Sequence, residues 1–158
     1  MLYFAYGSNL NADDFALWLS HTPFDPAALS WLRPLQRALL PDRALRFTRF
    51  SKTRNGGVLD VVEHPGASAP GIIFDVLNAS IWEVLDHKEG VAQGHYQHLD
   101  TVAVTLSGER HPVRTYEVHP VHRQAFVPPS DHYLDVVAAG CAAHGVDTAA
   151  LFSAAANR

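Results

Sequence analysis

The chain opens on Leu2-Tyr3-Phe4-Ala5-Tyr6, an unbroken apolar and aromatic run that suits a short buried strand. Gly7 follows, where the pattern predicts a turn that a side chain would block. Asn11-Ala12-Asp13-Asp14 then leads into Phe15, Leu17, Trp18 and Leu19, read as the acidic first turn and apolar face of a helix. From residue 32 the period shortens to two. Strands are expected over 32–40 and 44–50, parted by a turn at Pro41-Asp42, with Leu45 and Phe47 on one face and Arg46 and Thr48 on the other. Asn55-Gly56-Gly57 marks a turn, 58–62 a strand, Glu63-His64-Pro65-Gly66 a break and 71–77 a further strand.

Helical spacing returns in Ile81, Val84 and Leu85, with Trp82 on the flank, Ser80 and Glu83 in a capping-box pattern, and Gly90 as the stop. Residues 96–106 and 113–118 read as a hairpin with its turn at Ser107-Gly108. Pro128-Pro129 ends extended structure. Ser130 and Asp131 begin a helix whose apolar side is Tyr133, Leu134, Val137 and Cys141, and Gly145 ends it; Asp147 starts a last short helix through Phe152. Successive strands with a few helices around them predict an α+β fold, a mixed, mostly antiparallel sheet curled into a small β-barrel. No repeat or linker divides residues 1–158, so a single domain is expected.

Composition narrows the function classes. With 47% hydrophobic and 18% charged residues the chain reads as globular, and its net charge of −4 argues against nucleic acid. The local cations Arg46, Arg49, Lys52 and Arg54 read as a solvated strand edge rather than a phosphate patch. The single Cys141 excludes an intramolecular disulfide and a multi-cysteine zinc site, and fits a reducing compartment. No run approaches the ~18 apolar residues of a membrane span and no basic segment precedes the first apolar run, so a cytoplasmic chain without membrane contact is expected.

Four chemistries compete. His95 with His98, and His119 with His122, suggest a metal, but a spacing of three on a strand sends side chains to opposite faces, and no metal is expected. Ser8 lacks the second glycine of a nucleophile elbow, and Cys141 sits on an apolar helix face as a structural thiol. The strand, Gly turn and helix start around Gly7 leave N–H groups free for an anion, or form only an ordinary turn. Glu89, between a helix end and the Gly-containing loop 90–94, is either a partly buried carboxylate with a raised pKa or a solvated surface group.

The segments together resemble the gamma-glutamylcyclotransferase, or AIG2-like, family. Tyr3-Phe4-Ala5-Tyr6-Gly7-Ser8-Asn9-Leu10 matches the family's signature loop. Leu85-Asp86-His87-Lys88-Glu89-Gly90-Val91 is similar to the helix end carrying its catalytic glutamate, and Gly94-His95-Tyr96 to the aromatic position that follows. Val113-Arg114-Thr115-Tyr116 and Pro128-Pro129-Ser130-Asp131-His132-Tyr133 continue the order. The opening Tyr-Gly-Ser-Asn-Leu is most similar to the branch acting on gamma-glutamyl amino acids. Segments 19–33 and 111–122 depart from the pattern and are expected to border the substrate mouth.

The resemblance implies formation of 5-oxoproline from a small gamma-glutamyl substrate, with Glu89 as base and then acid. It implies Gly7, Ser8, Asn9 and Leu10 as the loop holding the glutamyl carboxylate or the oxyanion, and Tyr6, Tyr96 and Tyr133 as walls. No cofactor, metal or nucleic acid enters, and the chain acts as a monomer or homodimer. The competing expectation is a non-catalytic member that binds a small carboxylate or a protein partner.

Overall fold

A computed structural model describes residues 1–158. Its strands are β1 (Leu2–Ala5), β2 (Leu32–Ser51), β3 (Gly56–Val76), β4 (Tyr96–Thr105) and β5 (Arg110–Val118). Its helices are α1 (Ala12–Ser20), α2 (Ile81–Lys88), α3 (Asp131–His144) and α4 (Ala149–Ala155). The strands close a barrel in the order β1-β3-β2-β4-β5, and β5 returns to β1. Every pairing is antiparallel except β1 with β5, where Leu2 faces Val113 and Tyr3 faces Arg114. The expected mixed, mostly antiparallel barrel with flanking helices is therefore the fold.

Phe4, Phe47, Leu40, Leu59 and Ile73 are fully buried within the sheet's core, and Phe15, Leu19, Ile81, Leu85 and Leu151 bring three of the helices onto it. Leu17, expected on the apolar face of α1, stands 62% exposed instead, because Phe15 and Leu19 at i and i+4 define the buried stripe.

The turn expected at Pro41-Asp42 and the break expected at 63–66 do not end strands. Both interrupt the β2–β3 ladder at the same level: Pro41 pairs with Ser68 and Arg43 with Glu63. Asp42 takes φ +58°, Gly66 takes φ +85°, and Asp42 Oδ1 accepts the Gly66 N–H at 2.9 Å. Facing irregularities thus form one shared kink, and two long strands bend around the barrel.

The capping box at Ser80 is also absent. Ser80 itself adopts a right-handed helical conformation and caps nothing; its own N–H is held by Asn78 Oδ1 at 2.9 Å. The ends of α3 match expectation, and Asn11 adds a cap to α1. Asn11 accepts the Asp14 N–H at 2.9 Å, Ser130 accepts the Tyr133 N–H at 3.1 Å, and Gly145 ends α3 with φ +68°.

A carboxylate on β3, Asp60, is fully buried. It accepts from Thr48 Oγ1 at 2.9 Å, from the Val118 N–H at 2.9 Å and from Arg123 Nε at 2.8 Å. Glu117 continues the network to Arg123 at 3.2 Å and Arg43 at 2.9 Å. No helix is long and apolar enough to cross a membrane.

Candidate active site

A cavity of about 710 Å³ opens beside the end of β1. Its nearest wall is the turn Ser8–Leu10, a single 3₁₀ turn closed by Leu10 N–H to Gly7 O at 3.1 Å. The N–H groups of Gly7, Ser8 and Asn9 take no part in the fold's hydrogen bonding and stand at the cavity. Helix α3 holds this turn from behind. A Cβ on Gly140 would lie 2.7 Å from Asn11 N, so the helix can touch the turn only because residue 140 has no side chain.

Gly7 itself is another matter. Its φ is −123°, and a Cβ there would meet Leu59 Cδ1 and Tyr133 Oη at 3.8 Å, ordinary contact. The turn does not require glycine, contrary to expectation; the missing side chain instead leaves space in the cavity.

Across from the turn, Glu89 is the C-cap of α2, its N–H bonded to Leu85 O at 2.9 Å. Gly90 then reverses the chain with φ +64°, and a Cβ there would fall 2.6 Å from His95 Nδ1. Glu89 and Asn9, separated by 80 residues, meet directly: Asn9 Nδ2 donates to Glu89 Oε1 at 2.9 Å and to Tyr3 Oη at 2.8 Å. Asn9 Oδ1 is buried without a partner.

Burial raises the pKa of Glu89 above the usual carboxylate value. The Lys88 ammonium, the Asn9 bond and the Arg49 and Arg54 guanidinia oppose that rise. Lys88 sits over the rings of Phe15 and Trp18, at 5.2 and 5.7 Å, and burial lowers its pKa in turn.

The tyrosines divide by what their hydroxyls already do. Tyr6 donates to Tyr116 O at 2.6 Å and Tyr96 donates to Leu59 O at 2.7 Å, so both protons are used by the fold. Tyr133 Oη accepts the Leu59 N–H at 3.3 Å and keeps its own proton for the cavity. Burial keeps all of them neutral, with Tyr133 pushed up to about 12.

The structure thus brings Gly7, Ser8, Asn9, Tyr6, Glu89, Tyr96 and Tyr133 to one cavity, and not Leu10. Leu10 is 1% exposed, packed in the core with its carbonyl bonded to His144 Nε2 at 3.1 Å. The residues missed are Tyr3, Arg49 and Arg54. Tyr3 reaches the cavity from β1, where its hydroxyl accepts from Asn9 Nδ2 at 2.8 Å.

Of the four cations expected on a solvated edge, Lys52 is exposed, whereas Arg49 and Arg54 turn to the cavity. Arg54 forms a bidentate pair with Asp14 at 2.9 and 2.7 Å while covering Tyr133 at 5.4 Å, and Arg49 covers Tyr96 at 5.3 Å. No local sequence signal marks them, since Asp14, Tyr96 and Tyr133 lie on other elements. The histidine pairs separate, with His98 on Asp86 at 2.6 Å and His95 against the His122 ring at 5.8 Å. From the two unmatched segments, His21, Thr115 and Tyr116 reach the cavity lining.

Comparison with known proteins bears on this geometry. The family model of the AIG2-like family matches residues 70–150. Gamma-glutamylcyclotransferase of Bos taurus is 31% identical over 149 residues, covering 92% of this chain and 72% of its own length. The Homo sapiens gamma-glutamylcyclotransferase is 29% identical over 145 residues with the same coverage. A solved structure of a gamma-glutamyl cyclotransferase superposes with a TM-score of 0.76 at 28% identity, over 92% of this chain and 80% of that one.

Proposed function

This chain belongs to the AIG2-like, gamma-glutamylcyclotransferase family, and from that premise we propose that it releases 5-oxoproline from a gamma-glutamyl amino acid or amine. The substrate's α-amine attacks its own γ-carbonyl, so one C–N bond forms and another breaks. The amine arrives largely protonated, and a base must first remove that proton. Glu89 takes it and returns it to the departing nitrogen, acting as base and acid in turn. The observation that carries this reading is the Asn9–Glu89 bond at 2.9 Å, which joins the carboxylate to the free N–H groups of the turn.

Gly7, Ser8 and Asn9 receive the glutamyl carboxylate or the oxyanion through their N–H groups. Tyr133 donates its free O–H into the same space, and Tyr6 and Tyr96 serve as walls. Because ring closure is intramolecular, holding the glutamyl chain in an attack-ready shape supplies much of the acceleration. All parts act within one domain spanning 1–158, on small molecules in the cytoplasm, as a monomer or homodimer.

Incubation with gamma-glutamyl dipeptides, gamma-glutamyl-lysine and glutathione is expected to give 5-oxoproline from at least one of them. Product from none would replace the enzyme with a binder of small carboxylates. A second expectation concerns Gly7→Ala. Its Cβ enters cavity space without clashing, so the thermal midpoint should hold while KM rises roughly tenfold, the usual effect of one carbon in a fitted site. An unchanged KM would remove Gly7 from the substrate's surroundings.

A further inference from the structure

We propose that Arg49 selects the leaving group. Its guanidinium holds the carboxylate of a departing amino acid whose apolar side chain rests against Leu17 and Phe50 at the cavity mouth. The inference rests on the 5-oxoproline-forming reading above and deepens it.

Arg49 differs from the other cavity arginine. Arg54 is neutralised by Asp14 at 2.7 Å. Farther off, Arg43 and Arg123 share Glu117, Arg114 pairs with Asp100 and Arg33 with Asp75. Arg49 has no carboxylate. Its one hydrogen bond runs from Nη1 to the neighbouring Phe50 O at 3.3 Å, and its Nε is buried with no partner. The Tyr96 ring at 5.3 Å steadies the charge without satisfying those N–H groups. Nε is shut off from the cavity, but Nη2 has no partner and is not buried, so the terminal guanidinium donors are left for a carboxylate, which accepts from two of them at once.

Two features assign that carboxylate to the leaving group. The glutamyl carboxylate is one carbon from the amine that must reach Glu89, which keeps it at the turn of Gly7, Ser8 and Asn9. Arg49 instead adjoins Phe50, which lines the mouth and is 50% exposed. Leu17, 62% exposed, lines the same cavity from α1. Large apolar side chains exposed at a cavity mouth suit an apolar group that leaves water there. Lys52 and Lys88 also line the cavity, so a cationic leaving group such as a lysine or polyamine end meets like charge.

The test compares gamma-glutamyl-phenylalanine with gamma-glutamyl-phenethylamine, which differ only in the leaving group's carboxylate, and with gamma-glutamyl-glycine. Wild-type kcat/KM is expected to fall about 10- to 100-fold when the carboxylate is removed, the range for a charge-assisted bond. In Arg49→Met the two aromatic substrates should come within about threefold of each other, and Arg49→Lys should recover part of the gap. Glycine as leaving group should be slower than phenylalanine in both proteins.

Equal wild-type rates with and without the carboxylate overturn the proposal whether or not the variants fold. So does an equal loss on both aromatic substrates in Arg49→Met, which would put Arg49 on the glutamyl end. A glycine substrate as fast as phenylalanine removes the apolar contact. Absence of 5-oxoproline from every substrate in the wild type is a separate result and strikes the underlying reaction.

Discussion

Glu89→Gln is expected to fold and to bind substrate, yet to release 5-oxoproline two to four orders of magnitude more slowly than the wild type. Gln keeps an oxygen to accept from Asn9 Nδ2, so the bond at 2.9 Å and the geometry of the turn survive. What is lost is the capacity to take a proton. As a base, Glu89 acts only when ionised, so wild-type kcat/KM rises with pH through its raised pKa; the residual activity of the variant lacks that limb.

Stability should move the other way. Because the folded-state pKa lies above the unfolded one, the neutral acid's stabilising contribution is present at low pH and fades as pH rises through the folded value. Glu89→Gln therefore melts higher than the wild type at neutral pH and alongside it in acid. A wild-type rate of 5-oxoproline release by the purified variant would take the proton-transfer role from Glu89. Coincident melts at both pH values would show that its carboxylate is not desolvated.

The second large effect is on stability alone. Asp60→Ala strips the acceptors from Thr48 Oγ1, the Val118 N–H and Arg123 Nε at a site with no solvent exposure. Removing one partner of a buried ion pair costs about 3–5 kcal/mol. Glu117 remains 3.2 Å from Arg123 and keeps the loss near the lower end. At this chain length about 3 kcal/mol lowers the thermal midpoint by roughly 6–12 °C. Replacing Arg123 and Asp60 together by apolar residues should recover part of it, since no charge is then left unpaired. A midpoint within about 1 °C of wild type for the single variant would mean that Asp60 is solvated rather than clamped.

How far the sequence revealed this arrangement depends on the range of the force involved. Helix α3 was legible to its ends because Ser130, Gly145 and the apolar positions between them act within a turn or two. Glu89 and the turn of Gly7, Ser8 and Asn9 were legible as two separate motifs. Their meeting through Asn9 was not, since that bond spans 80 residues.

Local rules failed where a distant partner decides. Pro41-Asp42 and Gly66 each look like a strand end, and only their facing positions in the β2–β3 ladder turn them into one kink. Ser80 has the pattern of a cap, but Asn78 occupies the acceptor role two residues earlier. Arg49 and Arg54 looked like solvent-facing cations because the partners that draw them inward, Tyr96, Asp14 and Tyr133, lie on other elements.

The parallel contact of β1 with β5 has a consequence for the order of folding. It joins Leu2 to Val113 and Tyr3 to Arg114, more than a hundred residues apart, through a strand of four residues. Closing so long a loop is entropically costly and is rewarded only once the other strands are in place. The turn Ser8–Leu10 starts three residues past the end of that strand, so it is set in position by the same closing step. A refolding chain with every hairpin formed but β1 still loose has helices, sheet and core, and no enzyme; recovered turnover marks the completed ring rather than the collapsed globule.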